Sequence, residues 1–451
     1  MSANPSSLSP PTRIWNKNYF LLWQGQFVSL IGSQAFSIGM VFWLKHTTES
    51  ARVIGWIMMA ASIPSIVLSP FGGTIADYFS RKKILIFCDL LSGSFMLGLT
   101  FVFYLDPQNT DRILTCIFIT AIVAGIGSSL FRPAVAASIP EIVPKHKLDG
   151  ANSLNQMSIQ IANIFGQLLG GVLYRFFGPL LLFFINGISS LFSAVSEGFI
   201  HIPQVFPERI KGGFKPVMVR FFRDTLDGLL YLWKRPGMKN LFLGSMVLNF
   251  FFSPFSVLFP FYVEDFLKKG PDWYSYLLAS VTVGTMVGLT VIGVLKPSGK
   301  LRKYLLMAAL PALSLCFLSL GLFPNPYIAL LLMLLMGSIA SIFNVSLMTV
   351  FQLTTPTEIR GRVFGVMGTM TGGLVPISIG LAGIVLDLLD KNVLLIYLFC
   401  GTMVFLVAVA LGFNKNYRDF LATEAPKRAA VSKETPAVAE PEPANPAEPP
   451  A

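Results

Sequence analysis

Apolar stretches of bilayer length recur along this chain from residue 19 to residue 413, and very few folds can accommodate them. A helix needs about 17–25 consecutive apolar residues to cross the hydrocarbon core of a membrane. Lipid offers the backbone no hydrogen bonds, so each such run has to satisfy its own N–H and C=O groups as a helix. Twelve runs can be marked, at 19–44, 53–76, 83–105, 113–139, 151–174, 179–201, 241–263, 273–295, 304–323, 327–351, 363–388 and 393–413. Charged residues make up only 13% of the 451 residues, about half the ~25% of a soluble protein. The expected class is therefore an all-α membrane protein with twelve transmembrane helices.

Charge then sets the orientation. With the N-terminus inside, the inside segments hold 26 Lys and Arg and the outside loops seven, with Arg132 left within a span. Cytoplasmic loops carry such an excess, so both termini are expected in the cytoplasm of a multi-pass protein of the cell (cytoplasmic or inner) membrane. The net charge of +11 is accounted for by this topology rather than by nucleic acid, which is not an expected partner. Residues 1–15 are polar and rich in Ser and Pro, without the apolar core of a cleavable signal; they are expected to be disordered. The four cysteines (Cys88, Cys116, Cys316, Cys400) sit separately in apolar runs, and the three histidines have no neighbouring ligands. No metal, cofactor or catalytic site is expected, and the chain is not expected to be an enzyme.

The twelve runs divide six and six around residues 203–238. There "MVRFFRDTLDGLLYLWKRP" alternates apolar and basic residues at helical spacing, as an amphipathic helix on the membrane surface would. The expected domains are a bundle at 16–202, this linker at 203–238, a second bundle at 239–414 and a Pro-, Ala- and Glu-rich tail at 415–451, expected to be disordered. The bundles echo each other. "VPKHKLDGANSL" before the fifth run matches "TPTEIRGRVFGV" before the eleventh, and "GGVL" at 170–173 matches "AGIVL" at 382–386, both at an offset of 212 residues. "GTIADYFSRKKIL" from Gly73 matches "GVLKPSGKLRKYL" from Gly293 at an offset of 220. Parallel repeats of this kind build two-lobed transporters.

Between the second and third runs, Gly73, Asp77 and Arg81 recur every four residues and so share a helix face. Glycine allows a close helix approach. A carboxylate can meet the positive N-terminal end of a neighbouring helix, and Arg81 can pair with a nearby acid. The stretch resembles the loop motif of the major facilitator superfamily, Gly-x-x-x-Asp-x-x-Gly-Arg-Arg/Lys. Gly73, Asp77, Arg81 and Lys82 take its positions, and Ser80 replaces the second glycine. In the second half Pro297 replaces the aspartate, while Arg302 and Lys303 remain. "LFRPAVAASIPEIVPKHKLDGANSLNQ" (130–156), "TPTEIRGRVFGV" (355–366) and "WQGQFVSLIGSQAF" in the first run resemble the macrolide-efflux and enterobactin-exporter branch, over roughly residues 16–413. The resemblance implies the major facilitator fold, two pseudo-symmetric six-helix bundles. It implies export driven by the proton-motive force, with protons as coupling ion. A conformational lock is then expected on Gly73, Asp77, Arg81 and Lys82, with Glu358, Arg360 and Arg362 at the equivalent place in the second half. "GQLLGG" resembles the antiporter motif Gly-Pro-x-x-Gly-Gly, with Gly166, Gly170 and Gly171 matching and Gln167 in place of proline. Close packing by small residues is the plain alternative there.

Polar residues inside the runs mark where transport chemistry can sit. At 100° per residue, Asn152, Asn163, Gln156, Gln167 and Gln160 fall within about 80° of one another. Buried amides cost free energy unless they meet partners or water, so the stripe is expected to wall a substrate cavity or to bond a neighbouring helix. Gln24, Gln34, Asn249 and Asn344 are further cavity candidates. Phe250, Phe251, Phe252 and Phe255, with Met333, Met336 and Met348, could supply an adaptable apolar pocket. Asp89, Arg132 and Glu197 are the charges within spans. Asp89 and Arg132 lie at similar depth and are expected to form an ion pair or to take part in coupling, and Glu197 sits near a span end. The expected cargo is an amphiphilic small molecule, such as a drug, a macrolide or a siderophore-like compound. A lysophospholipid or lipid transporter of the same fold, or a non-transporting membrane sensor, remain alternatives. No G-x-x-x-x-G-K-[ST] phosphate loop occurs, which disfavours an ATP-driven pump.

Overall fold

The computed structural model describes residues 14–204, 214–297 and 299–421. These residues are helical almost throughout, and no strand occurs among them. The first half comprises α1 Lys17–Thr48, α2 Ala51–Tyr78, α3 Arg81–Leu105, α4 Thr110–Ile142 and α5 Leu148–Gly198. A linking helix α6 Phe214–Trp233 leads to α7 Pro236–Phe252, the short α8 Phe255–Phe261 and a π-helical turn Tyr262–Phe266. Then follow α9 Pro271–Leu295, α10 Gly299–Leu322, α11 Pro326–Thr354, α12 Thr357–Gly373, α13 Val375–Leu388, α14 Val393–Phe413 and α15 Lys415–Leu421. Local chemistry sets many of these ends. Asn16, Ser80, Asn109, Asn325 and Asn392 each turn a side-chain oxygen onto free N–H groups of the helix that follows.

Eleven stretches are long and apolar enough to cross a bilayer, and one of them, Lys145–Gly198, has 54 residues. At 1.5 Å per residue it would be about 80 Å long, far beyond the ~30 Å core. It is broken at Gly178, whose φ of 70° and ψ of −169° suit glycine alone. The arm before the break runs parallel to α1: Tyr19 donates to the carbonyl of Ala151, and His46 meets the Tyr174 hydroxyl. The arm after it runs antiparallel, with Gly25 against Ser193 and Gly39 against Leu182. The chain reverses at Gly178, so twelve crossings result, as expected. Two of them are themselves broken, at Ser253–Pro254 between α7 and α8 and at Leu374 between α12 and α13.

Buried apolar residues fall into three clusters, and their membership defines the architecture. One draws on both halves: Phe42, Leu44, Ala51 and Ile54 pack with Phe259, Phe261, Tyr262, Ile379 and Leu386. It lies at the end of the bundle where α1 turns into α2 and where α5 breaks, the distal end. At the opposite, terminal end, where the described chain begins and finishes, each half has its own core. Tyr19, Leu22, Leu85, Ile139 and Ala151 form one, and Met238, Phe242, Phe351, Val366 and Tyr417 the other. Large apolar side chains such as Phe101, Tyr104, Phe177, Phe399 and Phe413 are exposed on the outer surface, where a membrane-spanning bundle meets lipid.

Two expected boundaries move. Residues 415–421 of the expected disordered tail form α15, with Tyr417 and Leu421 buried against the second-half core; residues 422–451 lie outside the described residues. At the other terminus Ile14 reaches Gly150, and the Trp15 ring stacks edge-on against Trp23 at 5.2 Å; residues 1–13 lie outside the described residues. In the linker, the end of α6 packs on the second half, with Leu232 fully buried and Gly228 against the backbone of Arg362. Residues 205–213 lie outside the described residues.

Gly178→Ala should cost about 1–3 kcal/mol, because a Cβ is strained at this dihedral. A lower melting temperature in detergent, against an unchanged value for Gly198→Ala near the end of the same helix, is the measurement.

Candidate functional site: a sealed distal seam and a cavity in the second half

At the distal end the halves meet through two glycines related by the internal repeat. Gly171 lies against Pro271 and Ser275 at the start of α9, and Gly383 against Ala51 and Arg52 at the start of α2. A Cβ at either position would collide with the facing helix, so the backbones touch because both residues are glycine. The offsets of 212 and 220 residues relate one contact to the other. One turn beyond each glycine stands a charge, and here the repeat inverts. Arg175 pairs with Asp272 at 3.2 Å. Its repeat mate, Asp387, faces the repeat mate of Asp272, which is Arg52. The Asp387 carboxylate accepts from Ser50 Oγ at 2.6 Å, from the Ala51 backbone N–H at 2.8 Å and from the Arg52 backbone N–H at 3.1 Å. The second half thus caps the N-terminus of a first-half helix, an arrangement favoured by the helix dipole.

Between these contacts lies Lys45, 7% exposed. Its Nζ is 2.6 Å from Glu264 and 3.1 Å from Asp265, and sits 5.0 Å from the Phe261 ring centroid. Glu264 and Asp265 are adjacent in sequence. The π-helical turn that carries them widens the helix so that both reach one cation. His46 adds a contact to Glu264 at 3.0 Å. Gln167, the last residue of the amide stripe, accepts from Thr282 of α9 at 3.2 Å.

The expected lock behaves otherwise. Arg81 holds Asp77 at 3.4 Å, Glu141 at 3.2 Å and the carbonyls of Ala76 and Ala137. Lys82 donates to the carbonyl of Gly198 at 2.6 Å. All these partners belong to the first half. Gly73 has open space where a Cβ would go, whereas its neighbour Gly72 is pressed against Ser129 and Pro133 of α4. This cluster therefore braces α2, α3, α4 and α5 to one another and leaves the second half free. The reason is that the halves have separate cores at the terminal end. Arg362 pairs with Asp227 of the linking helix at 3.3 Å; the side chains of Glu358 and Arg360 lie outside the described residues.

Asp89 and Arg132 do not pair as expected. Asp89 is buried against the second arm of α5, and Arg132 is exposed on α4. Equal depth on two helices does not put two side chains on facing surfaces. Glu197, expected near a span end, is wholly buried. Gly166 and Gly170 press on Ile31, Gln34 and Ala35 of α1. Gln24 donates to Ser196 at 3.1 Å.

A cavity of about 610 Å³ opens within the second half, between α7, α9, α10, α11 and α12. Phe252, Phe255, Met333, Met336 and Met348 line it, as do Asn249 and Asn344. None of Gln24, Gln34, Asn152, Gln156, Gln160, Asn163 and Gln167 does, because they lie in the first half. Phe250 and Phe251 also point elsewhere; Phe250 gives its carbonyl to Ser378. Each cavity asparagine donates to the carbonyl four residues earlier, Ser245 or Ala340, at 2.9 Å. Its side-chain oxygen is left as an acceptor. The sequence reading missed Ser245, Thr285, Phe364, Met367 and Thr371 on this wall; a period-3.6 projection of α12 puts the last three on one face, but nothing in the sequence says that this face turns to α11. On the first half, Asn152 and Gln156 are exposed. They continue towards the terminal end the face that Gln167 and Gly171 turn to α9.

A twelve-crossing bundle of two repeated halves, joined at one end and with a cavity in the second half, is the architecture of a membrane transporter. The family model described as Major Facilitator Superfamily matches residues 22–381, and the chain belongs to that family of transporters. Macrolide efflux protein A of Streptococcus pyogenes is 24% identical over 397 residues, 88% of this chain and 95% of that protein. Multidrug efflux pump Tap of Mycolicibacterium fortuitum is 25% identical over 362 residues, covering 76% and 83%. Among solved structures, the nucleoside transporter NupG aligns with a TM-score of 0.67 at 16% identity, covering 91% of this chain and all of that one. The xylose transporter XylE from E. coli, in an inward-open conformation, aligns at 0.64 with 18% identity, covering 92% and 98%. These relatives are transporters rather than enzymes.

Asp387→Ala leaves three donors at the start of α2 without a partner, a cap loss worth about 1–2 kcal/mol. Spin labels at Glu49→Cys and Lys391→Cys replace an exposed pair of negligible worth. Double electron–electron resonance between them should give one short distance, and a broadened, longer distribution when Asp387→Ala is added.

Proposed function

We propose that this protein is a secondary active exporter of an amphiphilic small molecule, driven by protons and working by alternating access, with both chain ends in the cytoplasm. In that orientation the distal seam faces outward, and the structure corresponds to an inward-facing state, shut outside and parted inside. The observation that carries the reading is the combination of a sealed distal seam with a cavity lined mainly by Phe, Met and Leu. Such walls adapt to varied apolar shapes, and the Asn249 and Asn344 oxygens can accept hydrogen bonds from hydroxyl or amine groups of a cargo. Among the described residues no acid or base lines this cavity, which suits a cargo bound by shape and a few polar contacts. The relatives named for macrolide and multidrug efflux support the same class of cargo.

Alternating access then has a concrete form. Opening outward requires the Gly171 and Gly383 contacts, the Lys45–Glu264 pair and the Asp387 cap to separate together. In return the parted terminal ends close, which would bring Asp77 and Arg81 towards the second half in the role their motif implies. The first-half amide stripe would line the path between the halves.

The deciding experiment is efflux of erythromycin and of ethidium from a pump-deficient host, with and without a protonophore. Expression should raise resistance and lower dye retention, and the protonophore should abolish both. Asn344→Leu removes an acceptor without closing the cavity and should weaken export of the hydroxyl-rich macrolide by about 5–10-fold, the worth of one net hydrogen bond, while ethidium export changes little. Equal loss for both would remove Asn344 from cargo recognition.

A further inference from the structure

The second arm of α5 packs antiparallel against α3. Gly93 lies against Leu191 and the carbonyl of Gly187, and Gly187 against Leu97. That register places Asp89, one turn before Gly93, level with residues 193–197. Ser193 and Glu197 sit one turn apart on the facing surface, and Glu197 is near enough to Asp89 to feel its charge. Both are buried: Asp89 is 7% exposed and Glu197 0%. Neither Glu197 oxygen has a hydrogen-bond partner, and neither has Asp89 Oδ2 or Ser193 Oγ. Four buried polar atoms of three side chains, two of them carboxylates, are thus gathered at one level of an apolar bundle.

The surrounding charges offer no compensation. On α3, Lys82 is spent on the carbonyl of Gly198 and Lys83 is exposed; Cys88, beside Asp89, is buried and carries no charge as a thiol. On α4, Arg132 is exposed, and Glu141 is held by Arg81. On α1, Gln24 bonds Ser196, and Asn18 accepts the backbone N–H of His201, itself exposed. Two neighbouring carboxylates in a medium of low dielectric resist being ionised together, so such a pair is suited to holding a shared proton. Intramembrane acids of this kind mark proton paths. Here Glu197 is one residue from Gly198, and so one turn from the terminal surface.

We propose that Asp89 and Glu197 together form the site that carries the coupling proton, a site in the first half distinct from the cargo cavity in the second. This rests on the proton-driven export proposed above. The proton is taken up or released at the terminal side past Lys82. Beside Glu197, the Ser196 hydroxyl donates to the carbonyl of Leu21 and accepts from Gln24, which ties this arm of α5 to α1. α1 also carries Lys45 and His46, which the seam holds on Glu264 of the second half. Opening of the seam would therefore shift α1 against this arm and change the exposure of the pair, and cargo movement would be linked to proton movement without either ligand touching the other.

Two measurements on the detergent-purified or vesicle-reconstituted full chain test this. Infrared spectroscopy of the purified protein should show a carboxylic acid C=O band at neutral pH that vanishes at alkaline pH. Glu197→Gln and Asp89→Asn should each remove that titrating band. Persistence of the band in both variants overturns the site whatever the protein transports. In vesicles, either variant should lose at least ~10-fold of ethidium transport driven by an imposed pH gradient, and the double variant should lose no more. Exchange of labelled for unlabelled ethidium, which needs no proton movement, should persist. Variants that keep gradient-driven transport, or that lose exchange and gradient-driven transport alike, overturn the coupling role. A wild-type protein that transports ethidium with no response to pH overturns the proton-driven reading itself, while the infrared result still decides whether the pair holds a proton.

Discussion

Backbone-to-backbone contact at the distal end is the constraint from which the other features follow. Two glycines, Gly171 and Gly383, let the fifth and eleventh crossings lie directly on the starts of α9 and α2. Helices in lipid associate by close packing rather than by a hydrophobic drive, so the small residues decide where the halves can meet. Once they meet there, the core shared by both halves forms around them, and the terminal ends are left with separate cores. The cavity and the position of every charged cluster follow from that asymmetry.

Polar groups then give the seam its specificity. Glycine contacts alone would allow sliding along the seam. The Lys45–Glu264–Asp265 cluster and the Asp387 cap each have one geometry and fix the register. Burial matters to both signs of the effect: a buried pair adds little net stability while intact, but breaking it leaves an uncompensated charge that costs several kcal/mol. Such a seam opens as a unit or not at all, as a two-state transporter requires. The charge inversion between Arg175–Asp272 and Asp387–Arg52 adds a further property. At one contact an ion pair joins the halves and at the other a carboxylate caps a helix, so the two repeat-related contacts are alike in backbone and different in chemistry.

How much of this was legible in the sequence depends on the range of the interaction involved. The crossings were readable because a helix in lipid is determined by its own composition. Even the reversal inside Lys145–Gly198 was visible, since Gly178 and Pro179 interrupt the apolar run. The internal offsets were readable too, and they align Gly171 with Gly383; that both lie at the seam came from the structure. Charge partners were not. Asp77 and Asp387 each stand four residues after a glycine at a helix end, and both are able to cap a neighbouring helix. The familiar motif pointed to Asp77, yet Asp387 does the capping, because the distal end is the one that is closed. Asp89 was matched with Arg132 on depth alone, but depth leaves the rotation of each helix undetermined, and Asp89 turns to α5 instead. The cavity was half legible: Asn249, Asn344 and several Phe and Met residues were singled out, while Phe364, Met367 and Thr371 were hidden in a run that reads as ordinary membrane helix.

By itself, then, the sequence determined the number of crossings, the division into two repeated halves and the polar residues embedded in them, because each of these is a property of a segment in contact with lipid or of one segment compared with another. Only the tertiary structure decided which of those polar residues face each other, which end is sealed, and which half holds the cavity. Those outcomes depend on the rotation and tilt of whole helices, set by the sum of many small packing contacts between residues far apart in the chain, and no local pattern records that sum.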